Sequence, residues 1–326
     1  MTDRRPDLSA SLADFHTDDE SMRTCLHLAA VAARTDLPIL ILGETGTGKS
    51  LLARVIHNSS ARAQAPFVEF NAAALSDTLL DSQLFGHERG AFTGADRRVK
   101  GKFELADGGT LFIDEIADMS ATAQAKILRA VEYGEFERLG SEQLLEADVR
   151  LLSATHLPIT RFLETDHFRK DLFYRVSGIT LRVPPLRDRP NDLRTLMRRE
   201  IAAASAAMGR EIVGLSRAAA DRLIGHSWPG NLRELKRVVH TAVAMTEGDV
   251  IEEGAVLLEA TPEAVAGNGA GPAHPVQPDG DLSLRTAELR HIRQVLERLG
   301  GNKRRAARAL GLSRSTLDRK LGSRGE

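Results

Sequence analysis

One stretch, Gly43-Glu44-Thr45-Gly46-Thr47-Gly48-Lys49-Ser50, constrains the fold more than any other. The apolar run Pro38-Ile39-Leu40-Ile41-Leu42 precedes it, and Leu51-Leu52-Ala53-Arg54-Val55-Ile56-His57 follows with helical character. A buried strand thus ends in a glycine turn that opens a helix. The glycines let successive backbone N–H groups curl into a cradle, and the helix N-terminus adds a favourable dipole for an anion. At this spacing Lys49 reaches the β- and γ-phosphates of a nucleotide such as ATP, and Ser50 places a hydroxyl on Mg²⁺.

The surrounding pattern predicts an α/β fold. Residues 21–34 read as a helix, with Met22, Cys25, Leu26, Ala29, Ala30 and Ala33 at helical spacing. Segments 38–42, 67–70, 110–113, 149–154 and 179–183 read as strands, with helical stretches between them. That alternation predicts a parallel sheet with helices on both faces. After Pro184-Pro185 the segments 191–208, 216–226 and 231–246 read as helices with no strand between them, a small helical lid. Residues 260–281, rich in Gly, Ala and Pro, read as a flexible linker. The expected organisation is a tail over 1–20, an α/β subdomain over 21–183, a lid over 184–259, the linker, and a final helical module over 282–326.

Net charge is −1, but it is unevenly spread: residues 282–326 hold twelve Lys and Arg against four Asp and Glu, on an otherwise acidic chain. A basic module on an acidic body suits a polyanionic partner. The single cysteine, Cys25, excludes an internal disulfide and reads as a core thiol. The ten histidines lack metal-ligand spacing, so no structural zinc is expected. The charged start is unlike a signal peptide, and no apolar run approaches the ~20 residues of a membrane helix, so a cytoplasmic protein without membrane contact is expected.

A second signature is Gly108-Gly109-Thr110-Leu111-Phe112-Ile113-Asp114-Glu115, an apolar strand ending in two carboxylates. Asp114 suits Mg²⁺, and Glu115 suits activation of an attacking water. Between the two signatures lies Gly90-Ala91-Phe92-Thr93-Gly94-Ala95, preceded by Gln83-Leu84-Phe85-Gly86-His87-Glu88-Arg89. Gly90 and Gly94 read as pivots around an exposed aromatic tip, Phe92.

This hexapeptide, in that company, resembles the GAFTGA loop of the σ54-dependent transcription activators, bacterial enhancer-binding proteins of the AAA+ ATPase class. The resemblance runs from about Met22 to Glu253 and implies that residues 90–95 contact σ54, chiefly through Phe92 and Thr93. It also implies that Asn71 hydrogen-bonds Glu115 and that Thr155 senses the γ-phosphate; the next residue, His156, stands where many members have asparagine. Arg169 and Arg175, in Phe168-Arg169-Lys170-Asp171-Leu172-Phe173-Tyr174-Arg175, match arginine fingers that reach a neighbouring subunit's nucleotide. Arg233, in Trp228-Pro229-Gly230-Asn231-Leu232-Arg233-Glu234-Leu235, matches the second sensor, with Trp228 read as packing. Two departures are Ser50, where many relatives have Glu, and Ala13-Asp14-Phe15-His16-Thr17-Asp18, which lacks the usual segment and leaves the adenine contacts unassigned.

The basic end reads as two short helices joined by a glycine turn, Gly311-Leu312, and resembles the Fis-type helix-turn-helix of the same family. Leu312, Leu317 and Leu321 are expected inside. Arg314, Ser315, Thr316, Arg319 and Lys320 are expected to face the major groove, and Lys303, Arg304 and Arg305 to meet phosphates. The resemblance thus implies a homo-oligomeric ring, a hexamer, that binds enhancer DNA and hydrolyses ATP with Mg²⁺ to remodel σ54 RNA polymerase holoenzyme. The alternative is a DNA-binding regulator of ordinary RNA polymerase with a structural ATPase domain. The short stretch before Ser21 points to control by an inhibitory or co-activating protein in trans.

Overall fold

The computed structural model describes residues 10–15, 17–73, 76–165, 167–258, 292, 302–309 and 316–317. Residues 1–259 and 260–326 form two separate compact units. The first contains α1 (Glu20–Ala33), β1 (Ile39–Leu42), α2 (Lys49–Asn58), β2 (Phe67–Asn71) and α3 (Asp77–Phe85). The short strands β3 (Gly86–His87) and β4 (Val99–Lys100) follow, then α4 (Lys102–Leu105), β5 (Thr110–Asp114) and α5 (Ala121–Tyr133). Next come the hairpin β6 (Glu135–Glu137) and β7 (Leu144–Glu146), then β8 (Arg150–Thr155), α6 (Ile159–Glu164), α7 (Lys170–Val176) and β9 (Ile179–Arg182).

The five predicted strands pair in parallel in the order β2-β5-β8-β1-β9. Successive side chains on a strand face opposite ways, and here both ways are apolar. Leu40, Leu111 and Ile113 enter one core with Leu84, Ile127 and Phe168. Ile39, Ile41 and Phe112 enter the other, with Ala29, Leu52 and Ile56 of α1 and α2. Cys25 belongs to this second core, and burial pushes its thiol up to about 11. Pairing Leu42 with Thr155 and Asn71 with Asp114 gathers the strand C-termini at one edge of the sheet. Chain order reverses at β1, and a crevice at such a point is where α/β sheets bind ligands.

The lid comprises α8 (Pro190–Met208), β10 (Gly214–Leu215), α9 (Arg217–Ile224), α10 (Asn231–Met245) and β11 (Val250–Ile251). The expectation of helices alone is corrected by β10 and β11, which pair in parallel and tie the connection between α8 and α9 to the segment after α10. Their two-residue length leaves no alternating pattern to read. Trp228 is fully buried and donates through Nε1 to the Leu223 carbonyl at 3.1 Å.

In the second unit, α11 (Lys303–Ala309) exposes Lys303, Arg304 and Arg305, and Leu317 is buried. Thr316 is half-buried. The expected linker and Arg314, Ser315, Arg319 and Lys320 lie outside the described residues. Among the described residues no helix is long and apolar enough to cross a membrane.

Trp228→Ala removes the largest side chain of the lid core. It is expected to lower the unfolding free energy by about 3–5 kcal/mol, read as a shift in denaturant midpoint by circular dichroism.

Candidate active site

The turn after β1 folds as its glycines require. Gly46 and Gly48 take φ of +79° and +101°, a region that side chains disfavour. A Cβ on Gly46 would also lie 2.4 Å from the Gly230 carbonyl of the lid. Lys49 opens α2 with its side chain buried, its Nζ donating to the Gly43 and Glu44 carbonyls at 2.9 and 3.3 Å. Its ammonium lies 3.7 Å from Glu115 Oε1. Ser50 is exposed one residue on, its Oγ 3.4 Å from Asp114 Oδ2. A hydroxyl and a carboxylate facing one another suit a hard cation that keeps several waters and completes its shell with substrate phosphates. Among the described residues no group of three or more His, Cys, Asp and Glu could hold a metal without a substrate.

The paired carboxylates are driven apart electrostatically. Burial, with the neighbouring Glu115 charge, pushes the Asp114 carboxyl up. Burial also pushes on Glu115, but hydrogen bonds from His156 and the Lys49 charge outweigh it and hold the group below the ordinary carboxylate range. Glu115 adopts a left-handed backbone, φ 56° and ψ 47°. Among the described residues only Trp228 and Asn231 share a positive φ without being glycine. Strain of this kind concentrates at functional sites.

The expected Asn71–Glu115 hydrogen bond is corrected. Asn71 Oδ1 instead accepts from the Ala73 amide at 2.8 Å, a local turn. Glu115 Oε2 accepts from the His156 amide at 3.0 Å and lies 2.8 Å from His156 Nδ1. The left-handed turn sends the carboxylate toward the end of β8 rather than β2. Thr155 is buried beside it, its Oγ1 accepting from the Leu157 amide at 3.1 Å.

The lid rests on the phosphate loop. Arg187 forms a bidentate pair with Glu44 at 2.8 and 2.6 Å, holding that carboxyl below its usual range. Fully buried Asn231 donates to Glu44 Oε2 and the Thr45 carbonyl at 3.2 and 3.1 Å, and accepts from the Leu186 amide at 2.7 Å. Leu232 N–H donates to the Gly46 carbonyl at 3.0 Å. Arg233 follows, exposed in the first turn of α10 beside Gly46. Sequence reasoning missed Arg187 and Asn231. Asn231 could have been suspected from its place in a Pro-Gly-Asn turn opening a helix; Arg187 carries no local signal.

Arg169 and Arg175 are both exposed at either end of α7. The Arg169 guanidinium pairs with Asp171 at 3.0 and 2.6 Å. Arg175 donates to the Val131 and Glu132 carbonyls at the C-terminus of α5, at 3.1 and 3.2 Å.

Residues 90–95 form a compact turn pinched by Gly90 N–H donating to the Ala95 carbonyl at 2.8 Å. Gly90 and Gly94 take φ of +84° and +97° with open space around them, so backbone angle rather than crowding requires glycine. Phe92 is not the exposed tip expected: its ring is half-buried and meets His87 edge-on at 5.0 Å. His87 is itself buried and fixed by Ser82 Oγ at 2.8 Å from Nδ1. The exposed tip is Thr93-Gly94. Ala95 is buried, which corrects its place among surface contacts, and half-buried Ala91 abuts Gly140. The turn's base joins the β6–β7 hairpin: Glu88 N–H donates to Leu139 and Leu139 N–H to Gly86, each at 3.0 Å. Buried Arg138 pairs with both Glu88 and Glu104. Residues 116–139, containing α5, therefore link Glu115 to the base of the turn.

Three family models match the chain: the Sigma-54 interaction domain over residues 15–182, the AAA+ ATPase lid domain over 187–268, and the bacterial regulatory protein, Fis family, over 283–322. Transcriptional regulatory protein ZraR of Klebsiella oxytoca is 44% identical over 307 residues, 93% of this chain and 67% of that protein. Transcriptional regulatory protein FlbD of Caulobacter vibrioides is 40% identical over 331 residues, 97% of this chain and 73% of that protein. The crystal structure of NtrX from Brucella abortus in complex with ATP aligns with TM-score 0.68 and 32% identity, covering 95% of this chain and 68% of that one.

His156→Ala removes a partner that lowers the Glu115 pKa, so Glu115 loses its charge at a higher pH than before. The acid limb of the kcat profile for ATP hydrolysis is expected to move up in pH, whereas Asn71→Ala leaves it in place.

Proposed function

Since the chain belongs to the σ54-dependent transcription activators of the AAA+ ATPase class, we propose that it binds enhancer DNA, assembles into a hexameric ring and uses ATP to open promoters held by σ54 RNA polymerase holoenzyme. It does so in the cytoplasm, without membrane contact. The observation that carries this reading is the meeting of Lys49, Ser50, Asp114 and Glu115 at one sheet edge, joined through one helix and one hairpin to a pinched glycine turn with Thr93 at its tip.

Phosphate oxygens of ATP sit on the backbone amides of residues 43–50, where Lys49 balances their charge. Glu115 takes a proton from the attacking water, whose oxygen bonds to the γ-phosphorus as the bond to the β-bridging oxygen breaks. ADP and inorganic phosphate leave. Ser50 and Asp114 would hold Mg²⁺, which would supply positive charge against the phosphates. Thr155 sits at the γ-phosphate end of the site, and Arg233 carries the state of the nucleotide to the lid. Arg169 and Arg175 act on the nucleotide of the adjoining subunit, where a planar guanidinium matches the spread charge of the transferred group. NtrX, 32% identical, was crystallised with ATP, which supports ATP as the nucleotide here.

Because Glu115 is held by His156, movement of β8 or of the nucleotide changes the position of the carboxylate. The link through α5 and Arg138 then shifts the turn, and Thr93 and Phe92 press on σ54. Phe92 leaves His87 to do so. The Fis-type module carries sequence recognition, with Lys303, Arg304 and Arg305 on phosphates and Arg314, Ser315, Thr316, Arg319 and Lys320 toward base edges.

Open-complex formation tests the assignment. Activity is expected with σ54 holoenzyme and not with ordinary holoenzyme, and Thr93→Ala is expected to abolish it while ATP hydrolysis stays within about twofold, since Thr93 lies outside the hydrolytic site. Activation of ordinary holoenzyme would overturn the reading. Replacing Lys303, Arg304 and Arg305 together with alanine is expected to weaken DNA binding similarly for all sequences. The slope of log K against log salt should fall by roughly 2–3, because each neutralised phosphate contributes about 0.9.

A further inference from the structure

Gln124 lies one turn into α5 with no exposed surface. A buried primary amide is costly unless its donors and acceptor are used. Here all are engaged, and on two different segments. Nε2 donates to the Met119 carbonyl at 2.8 Å and to the His167 carbonyl at 3.0 Å. Oε1 accepts from the Arg169 backbone N–H at 2.8 Å. One side chain therefore brackets Phe168, also fully buried, by bonding the main chain on both sides of it. It joins that stretch to the turn between Glu115 and α5.

This matters because of what the bracketed stretch carries. Arg169 is the N-cap of α7, and its exposed guanidinium pairs with Asp171, itself in the first turn of the same helix. That pair ties the side chain only to its own short segment, so the backbone of the segment must set where the guanidinium points. Arg175 is placed from the same helix, through the terminal carbonyls of α5. A single rod thus bears on both arginines, at its first turn through Gln124 and at its last turn through main-chain oxygens.

We propose that Gln124 is a positioning residue for Arg169, holding the finger at the height a neighbouring subunit's γ-phosphate requires. This rests on the trans role given above to Arg169. The amide touches neither nucleotide nor reacting atoms. Its effect is felt one subunit away, while its own subunit keeps a working ATP site.

That separation supplies the test, in full-length protein. Gln124→Met removes the three hydrogen bonds at nearly constant volume. Its kcat for ATP hydrolysis is expected to fall about tenfold to a hundredfold, as for a misplaced catalytic group, with ATP affinity within about twofold. Gln124→Glu keeps the acceptor for the Arg169 N–H and is expected to fall between Gln124→Met and the parent. The decisive step mixes Gln124→Met subunits, slowed on their own, with Glu115→Gln subunits, inactive on their own. Glu115→Gln subunits donate sound fingers to Gln124→Met sites, so hydrolysis should return in the mixture. Arg169→Ala mixed with Glu115→Gln is the control. Rescue of Arg169→Ala but not of Gln124→Met would overturn the proposal, because Gln124 would then be acting within its own site. Loss of ATP binding or of folding in Gln124→Met would overturn it equally. Failure of the Arg169→Ala control would instead reject the trans role of that arginine.

Discussion

The buried ammonium of Lys49 is the charge around which the strand ends are arranged. A cation this far from water must be matched at short range. The match comes from two loop carbonyls and from Glu115, whose own position is fixed by His156. Phosphate loop, carboxylate strand and the end of β8 are thereby one electrostatic unit. The sheet order, with β1 beside β8 and β8 beside β5, brings these three ends within reach of one another.

The lid belongs to the same unit. Asn231 binds the loop and the inter-subdomain segment at once, and Glu44 ties the loop to Arg187. Any shift in the loop is felt by α10 with little slack, because no methyl group fits between Gly46 and Gly230. Arg233 lies in the next residues, so its position is set by the loop as well as by its own helix.

Much of this was legible in the sequence. All five strands form within a residue or two of their expected bounds, because each is a short, largely apolar run bounded by glycine, proline or a polar residue. Lys49, Ser50, Asp114 and Glu115 meet because two signatures share one edge of a parallel sheet. What could not be read were choices made by backbone geometry. Nothing in the residue pattern says that Glu115 turns left-handed and so faces His156 rather than Asn71. Phe92 reads as a tip from its glycine neighbours, but His87, held by Ser82, offers its ring a partner five residues away. Gln124 looks like any polar residue early in a helix; its role depends on a segment more than forty residues on.

The hydrogen bond from Gly90 to Ala95 has a mechanical consequence. It closes the hexapeptide into a ring of backbone, so bending is confined to the stem and the apex keeps its shape. A displacement of the stem is then delivered whole to Thr93 instead of being absorbed along a slack loop.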